Sequence, residues 1–110
     1  MGRDRADLLQ GTLDLLVLRV LSREELHGWG ISKRIHQLSG DVLEVNQGSL
    51  YPALYRLRDR GLIEGSTGTS PEGRRIRIYR LTAAGRRAVR TEEASWELFT
   101  TAVNRVLEGA

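Results

Sequence analysis

Three stretches in the first half of the chain repeat their apolar residues at the spacing of an α-helix, and the first lies between residues 12 and 21. Five apolar residues there, three or four positions apart, form one stripe: Leu13, Leu16, Val17, Val20 and Leu21. Leu15 and Leu18 lie outside this stripe, so the helix is apolar on a second side as well. Because a chain of 110 residues has little core with which to cover both sides, we expect Leu15 and Leu18 to contact a partner helix at a dimer interface.

The second helix is predicted over residues 28–39. Its expected buried side consists of three apolar residues: Ile31, Ile35 and Leu38. Lys33 and Arg34 then face outward, and Gly40 suits the left-handed conformation that often ends a helix.

The third helix is predicted from apolar residues of the same spacing: Leu50, Ala53, Leu54 and Leu57. Gly61 is its expected stop. Two starts are open, because Asn46 as N-cap would place Pro52 inside the helix, whereas Ser49 as N-cap would keep that proline in the tolerated first turn. We favour a distorted start between Gln47 and Ser49.

After Gly61 the pattern changes to that of a β-hairpin. We expect a strand over residues 62–66, a polar turn over 68–73 and a returning strand over 75–81. β-Branched residues in the returning strand and glycines in the turn favour this prediction.

Thr82 is predicted to cap a final helix that runs to about Leu107. Its apolar residues form a seam that is broken at Glu92: Val89, Trp96, Phe99, Val103 and Val106. Such a helix exceeds ~30 Å in length, too long for a small core to cover, so we expect the seam to pack against a second copy of the chain.

The order helix, helix, helix, hairpin, helix predicts a mainly α fold with a small β-hairpin, namely a winged helix-turn-helix with a long C-terminal dimerisation helix. The length fits one structural unit. Within it, residues 1–82 form the predicted DNA-binding part and residues 83–110 the dimerisation helix.

Positive charge is concentrated in the centre of the chain. The net charge is only +3, yet the segment from Arg56 to Arg90 contains ten arginines and three acidic residues. Guanidinium groups grip phosphates with paired hydrogen bonds, so double-stranded DNA is a suitable partner. A general preference for arginine over lysine would not explain this clustering.

The side of the third helix opposite its leucines carries residue types that contact DNA: Gln47, Gly48, Ser49, Tyr51, Tyr55 and Arg58. An α-helix fits the major groove, where Gln, Ser and Arg meet base edges and Tyr meets a phosphate or a thymine methyl group. The amides of the first turn, including that of Gly48, suit a phosphate. The alternative is an ordinary solvated face, but the basic hairpin that follows favours DNA.

Arginines crowd the predicted hairpin: Arg74, Arg75, Arg77 and Arg80. We expect Arg74, Arg75 and Arg77 to form a wing that lies over the minor groove or the DNA backbone. Lys33 and Arg34 are candidates for further phosphate contacts.

Other classes of protein find little support. No apolar run reaches the ~18 residues of a membrane span, and no secretory signal is visible, so we expect a soluble, cytoplasmic protein with no membrane partner. No catalytic motif is found, so an enzyme is not expected.

A metal site or cofactor is not expected either. The chain has no cysteine, which excludes disulfides and thiolate ligands. His27 and His36 lack further His or Cys companions; we interpret His27 as a packing residue and His36 as a surface residue.

Four runs of residues resemble the PadR-like transcription regulators in order and spacing across nearly the whole chain. They read QGTLDLL at 10–16, HGWGI at 27–31, NQGSLYPAL at 46–54, and GRR at 73–75 followed by YRLT at 79–82. The resemblance is closest to short members with a single C-terminal helix and, among these, to the type associated with acidobacterial permease genes. Trp29, where a Tyr is more usual, and Ile78, in place of an aromatic residue, depart from the pattern.

The resemblance implies a dimeric repressor that binds an inverted-repeat operator. It also implies that some members release DNA when a small aromatic or drug-like compound binds. By the same resemblance, Ser49, Leu50 and Tyr51 lie at the start of the recognition helix, and Arg74 and Arg75 lie in the wing.

Two other functions stay open: a winged-helix module that binds protein through its hairpin, and an activator or architectural factor with the same fold. The basic wing disfavours the first. Trp96 also has two interpretations, an aromatic residue of the core or dimer interface, which we favour, or a residue that stacks on an aromatic effector.

Overall fold

The computed structural model describes the backbone of residues 2–110 and the side chains from residue 10 onward. Over these residues, four helices and three strands follow one another: α1 (Gly2–Leu21), β1 (Leu26–His27), α2 (Gly28–Leu38), α3 (Gln47–Asp59), β2 (Ile63–Thr69), β3 (Arg75–Leu81) and α4 (Ala83–Gly109). The predicted fold class, a mainly α winged helix-turn-helix arrangement with a long C-terminal helix, is confirmed. Within the described part of the chain, no helix is both long and apolar enough to cross a membrane.

The strands form one antiparallel sheet in the order β1-β3-β2. β2 and β3 pair from Ile63 opposite Leu81 to Thr69 opposite Arg75, so β2 is longer than predicted and the turn is confined to residues 70–74. Two residues, too few to show a period, pair β1 with β3. For that reason, β1 was not predicted.

α1 lies at the centre of the core and contacts α2, α3 and α4. Buried apolar residues from the helices and the hairpin surround it: Val17, Leu18, Val20, Leu21, Ile31, Ile35, Leu50, Leu54, Leu57, Leu62, Ile63, Tyr79, Leu81 and Val89. Leu13 and Leu16 pack at the margin of this core. The buried faces predicted for α1 and α3 are therefore present.

Two residues predicted at the dimer interface belong to this core instead. Leu18 is 1% and Val89 4% exposed, so neither has surface left for a second copy to cover. α1 is apolar on two sides because three helices of its own protomer surround it. Leu38, predicted as a core residue, is 61% exposed, because α2 ends there and no element covers its last turn.

The start of α3 is set by Asn46 and lies at Gln47, within the predicted range of Gln47 to Ser49; Asn46, and not Ser49, is the N-cap. The Asn46 Oδ1 accepts a hydrogen bond from the Ser49 N–H at 2.9 Å, and α3 begins at Gln47 with Pro52 inside it. The proline removes one bond of the helical ladder, to the carbonyl of Gly48, and Gly48 lies at an exposed position. Water replaces that bond at low cost.

Thr82 joins the hairpin to α4, as predicted. Its Oγ1 accepts from the Gly85 N–H at 3.0 Å and donates to the Gly61 carbonyl at 2.6 Å, while its N–H donates to the Leu62 carbonyl at 3.0 Å. A Cβ on Gly85 would collide with the same Leu62 carbonyl. The absence of a side chain at Gly85 therefore lets α4 start directly against the backbone that precedes β2.

Candidate nucleic-acid interface

The face of α3 opposite its buried leucines is exposed along its whole length. It carries every residue predicted there: Gln47, Gly48, Ser49, Tyr51, Tyr55 and Arg58. The Tyr51 and Tyr55 ring centroids are 6.5 Å apart, and the Arg58 Cζ lies 5.2 Å from the Tyr55 ring centre. These three side chains form a continuous row, because residues four and three apart share a helix face.

The first turn of α3 is tied to its neighbours. The Gln47 Nε2 donates to the Ser32 Oγ of α2 at 3.2 Å. The N–H of Ser49 is already taken by the Asn46 cap, so it is not one of the first-turn amides open to a phosphate. The Asn46 cap was one of the two starts that the sequence left open, but sequence spacing could not show the contact between Gln47 and Ser32.

Tyr51 is held at the junction of α2, α3 and the sheet. Its hydroxyl lies over Gly28, where a Cβ would approach to 2.9 Å. Burial raises the pKa of the Tyr79 phenol above its ordinary value, and the neighbouring Tyr51 raises it further, against the opposing effect of Arg77. Tyr51 is thus exposed on α3 while its hydroxyl end packs against the start of α2.

The arginines of the hairpin divide between its two faces. Side chains of a strand alternate, so Arg75 and Arg77 share a face with Tyr79, which is buried in the core. Arg77 crosses over Gly65, where a Cβ would meet its Nε at 2.7 Å. Arg80 lies on the other face, and its Nε donates to the Glu64 carboxylate at 2.7 Å.

Not all of the central positive charge is available to a ligand. The Arg56 guanidinium donates to both carboxylate oxygens of Asp14, at 2.7 and 3.4 Å, and so links α3 to α1. Arg56 and Arg80 are therefore neutralised within the protein. Four exposed arginines lie on the recognition helix and in the wing: Arg58, Arg74, Arg75 and Arg77. Arg58 is also 3.7 Å from the Asp59 carboxylate. Four more exposed arginines lie outside these two elements: Arg60, Arg86, Arg87 and Arg90.

The two cations predicted on α2, Lys33 and Arg34, are exposed. The two histidines lie at opposite ends of α2. The His27 ring packs against the backbone at Gly30, whereas the His36 Nδ1 is 3.4 Å from the Asp41 carboxylate and its Nε2 3.8 Å from the Glu44 carboxylate. Among the described residues, no group of three or more His, Cys, Asp or Glu could hold a metal ion.

The outer part of α4 exposes an apolar stripe that contains four residues of the predicted seam: Trp96, Phe99, Val103 and Val106. Between α1 and the middle of α4 lies an open cavity of about 210 Å³, lined in part by Leu15, Trp96 and Phe99. From residue 101 onward every residue is exposed. Of the residues predicted for the dimer interface, Leu15 and these four have surface to offer.

An exposed polar helix face followed by a basic hairpin, both on one helical core, defines a DNA-binding protein of the winged helix-turn-helix class. Residues 17–91 match the sequence model of the transcriptional regulator PadR-like family, and the chain belongs to this family. The predicted resemblance is confirmed. The chain is thus a DNA-binding transcriptional regulator, and its family is one of regulators, not of enzymes.

Individual relatives agree with the family assignment. A transcriptional regulator from Mycobacterium tuberculosis is 35% identical over 83 residues, which cover 76% of this chain and 74% of that protein. A PadR-like transcriptional regulator from Bacillus cereus superposes with a TM-score of 0.78 at 31% identity, over 94% of this chain and 99% of that chain. A transcriptional regulator from Clostridium thermocellum gives a TM-score of 0.81 at 27% identity, over 90% and 93%.

We expect opposite phenotypes from substitutions of Arg56 and Arg58, which lie two residues apart on α3. Arg56→Gln leaves the Asp14 carboxylate without its partner, and we expect a loss of about 1 kcal/mol of stability, or roughly 4 to 8 °C in melting temperature, with the salt dependence of DNA binding unchanged. Arg58→Gln leaves the melting temperature unchanged but lowers the slope of log affinity against log salt by about 0.9 for each protomer that contacts DNA, the value for one phosphate contact. Thermal melts and anisotropy of labelled DNA measure both. A flattened slope in Arg56→Gln would show that Arg56 leaves Asp14 to reach DNA.

Proposed function

We propose that this protein is a sequence-specific transcriptional repressor that binds an inverted-repeat operator as a homodimer. The observation that supports it most is the shared face of β3, on which Arg75 and Arg77 continue outward from Tyr79, beside the exposed row of α3. A regulator of this kind acts on the chromosome, in the cytoplasm.

In this proposal, α3 enters the major groove. Ser49 and Tyr51 contact base edges or a thymine methyl group near the start of the helix, with Gln47 and Gly48 beside them, and Tyr55 and Arg58 lie further along the groove. Because Gln47 already bonds to Ser32, we give it a smaller part in base recognition than Ser49.

The wing supplies contacts that do not depend on sequence. Arg74, Arg75 and Arg77 lie over the backbone or the minor groove, and Lys33 and Arg34 add phosphate contacts from α2. The alternative, a hairpin that docks on a protein, is disfavoured because three exposed arginines on one short hairpin suit a polyanion better. Binding of random DNA that weakens with salt distinguishes the two.

This division of contacts predicts two kinds of variant. Arg74→Ala with Arg75→Ala weakens operator and random DNA alike and lowers the salt slope by about 2 for each protomer, or about 4 for the dimer, since two phosphate contacts per protomer are lost. Ser49→Ala or Tyr51→Ala instead reduces the preference for operator over random DNA by about tenfold. The operator is obtained by footprinting DNA upstream of the protein's own gene, and affinities are measured by anisotropy.

Ser66→Ala, an exposed change on the far face of the same wing, is the control and changes neither quantity. Equal loss of operator preference from the wing and helix variants would contradict the division. A footprint that overlaps the promoter, with transcription in vitro lowered by the protein, supports repression, whereas raised transcription identifies an activator.

The homodimer is proposed from the exposed stripe of α4. An apolar surface of this extent on a small protein marks an interaction site. An inverted repeat requires two copies of the recognition helix related by a two-fold axis, with half-sites about one helical turn apart. We therefore assign Trp96, Phe99, Val103 and Val106, with Leu15 of α1, to the contact with a second copy.

Two charges placed in this stripe should separate the protomers. Phe99→Asp with Val103→Asp buries carboxylates in the proposed contact, so we expect a monomer in sedimentation velocity at micromolar concentration, where the wild type is a dimer. Ala94→Asp with Thr101→Asp, exposed residues on the opposite side of α4 at 100° per residue, is the matched control and stays dimeric. A monomeric wild type would refute the homodimer and leave DNA binding by the single unit to be tested separately.

A small aromatic effector is the second part of the proposal. The cavity beside Trp96 is open, and its lining is largely apolar. A flat aromatic ligand that stacks on the indole gains about 0.5 to 1.5 kcal/mol of binding free energy beyond the gain from burying apolar surface. The ligand would release DNA only if it bound the DNA-incompetent arrangement of the dimer more tightly, because equal affinity for both arrangements shifts nothing.

Planar aromatic dyes test the effector site. We expect them to quench the tryptophan fluorescence of the wild type and to leave that of Trp96→Phe, which retains Trp29, nearly unchanged. The same dyes should lower operator affinity in the wild type alone. Equal quenching in Trp96→Phe, or none in the wild type, would remove the effector and leave the repressor proposal standing.

A further inference from the structure

An exposed indole lies in the first turn of α2. Among the aromatic side chains that the structure describes, Trp29 is the most exposed, at 59%. The Lys33 Nζ lies 5.1 Å from the centre of its ring, a cation–π contact that gives both side chains a preferred position on the surface. None of the contacts proposed above uses this indole.

Trp29 and Lys33 adjoin the start of the recognition helix. Gly28, the residue before Trp29, lies under the Tyr51 hydroxyl, and Ser32, the residue before Lys33, accepts the hydrogen bond of Gln47. Positions 28 and 32 are one turn apart and share one edge of α2, so positions 29 and 33 lie on the next edge, about 100° further round the helix. The two side chains therefore extend the surface formed by Gln47 and Tyr51.

The charge around Trp29 suits a phosphate. Trp29 and Lys33 line an open cleft of about 300 Å³ between α2 and the segment that precedes α3. Its one carboxylate, Glu44, lies within 3.8 Å of the His36 Nε2. His36 is two turns beyond Trp29, about 10 Å along the helix axis, so the end of the cleft that holds the indole carries only the positive charge of Lys33.

We propose that Trp29, with Lys33, makes a DNA backbone contact that flanks the recognition helix. The indole Nε1–H donates to a phosphate oxygen, its ring lies against the neighbouring deoxyribose, and the Lys33 ammonium pairs with the next phosphate. This contact rests on the proposed function. Because it touches no base, it raises affinity for operator and random DNA by the same factor and fixes the orientation of α2 on the duplex.

Fluorescence tests the placement of the indole. Titrating wild-type protein with an unlabelled random duplex should change tryptophan emission with the same midpoint that anisotropy of labelled duplex reports. In Trp29→Phe, the emission change disappears while anisotropy still reports binding. An emission change as large in Trp29→Phe as in the wild type, or none in a wild type that binds DNA, overturns the inference and leaves the proposed function intact. No binding by anisotropy in the wild type overturns both.

Affinity gives an independent test with a matched control. Trp29→Ala should weaken binding of operator and random duplexes equally, by about 3- to 10-fold for each protomer that contacts DNA, the effect of losing one hydrogen bond. Leu38→Ala removes a side chain of similar exposure, 61%, from the other end of α2 and leaves affinity unchanged. A Trp29→Ala loss confined to the operator would show a base contact instead. In Trp96→Phe, whose one remaining tryptophan is Trp29, emission that follows dilution of the protein without DNA would place Trp29 in a contact between protein copies; either result refutes the backbone contact.

Discussion

α1 is the element against which the other helices pack. Val17 and Leu18 are buried, and α1 contacts α2, α3 and α4; each buried side chain of this size contributes about 1.5 to 3 kcal/mol. The partly exposed ion pairs Asp14 to Arg56 and Arg19 to Glu93 add less, because water screens them. Their effect is directional: each ties a different helix to one position along α1. Packing thus holds the unit together, and the ion pairs set how α3 and α4 are placed on it.

Two ion pairs, of Arg56 with Asp14 and of Arg80 with Glu64, change the electrostatics that composition suggests. Ten arginines between Arg56 and Arg90 form one block in the sequence, but Arg56 and Arg80 face carboxylates of the protein. Of the eight that remain, Arg58, Arg74, Arg75 and Arg77 lie on the exposed face of α3 and in the wing, and the other four are exposed elsewhere: Arg60, Arg86, Arg87 and Arg90. Four exposed arginines on the two elements proposed to contact DNA favour association through that side of the molecule.

The periodicity of apolar residues predicted the structural features that depend on residues close together in the sequence. The buried faces of α1 and α3, the Thr82 cap and the hairpin follow from short-range patterns. The contact between Asp14 and Arg56 joins residues 42 positions apart, and no short-range pattern contains it. Leu18 and Val89 were assigned to the dimer interface and not to the core, because apolar character alone does not show whether a residue packs within its own protomer or against a second one. At Asn46, the rule against proline inside a helix was outweighed by a good cap and an exposed Gly48. For the site, residue types predicted the exposed row of α3 and the basic wing, but not that Gln47 and Tyr51 are held by α2.

The backbone contact at Gly85 affects the distance between the two recognition helices of the proposed dimer. α4 contains 27 residues, a rod of about 40 Å, and its direction is fixed where Thr82 bonds to both Gly61 and Gly85 and the helix backbone meets the Leu62 carbonyl. A change of about 5° at this joint moves the far end of the rod by roughly 3.5 Å, close to the spacing of one base pair. In the proposed dimer, the far half of α4 meets the second copy, so the joint sets the distance between the two recognition helices. Flexible side chains there would let that distance vary. The close contact between the Gly85 backbone and the Leu62 carbonyl instead fixes this distance through the backbone. Any effector that acts through α4 must overcome the stiffness of this joint.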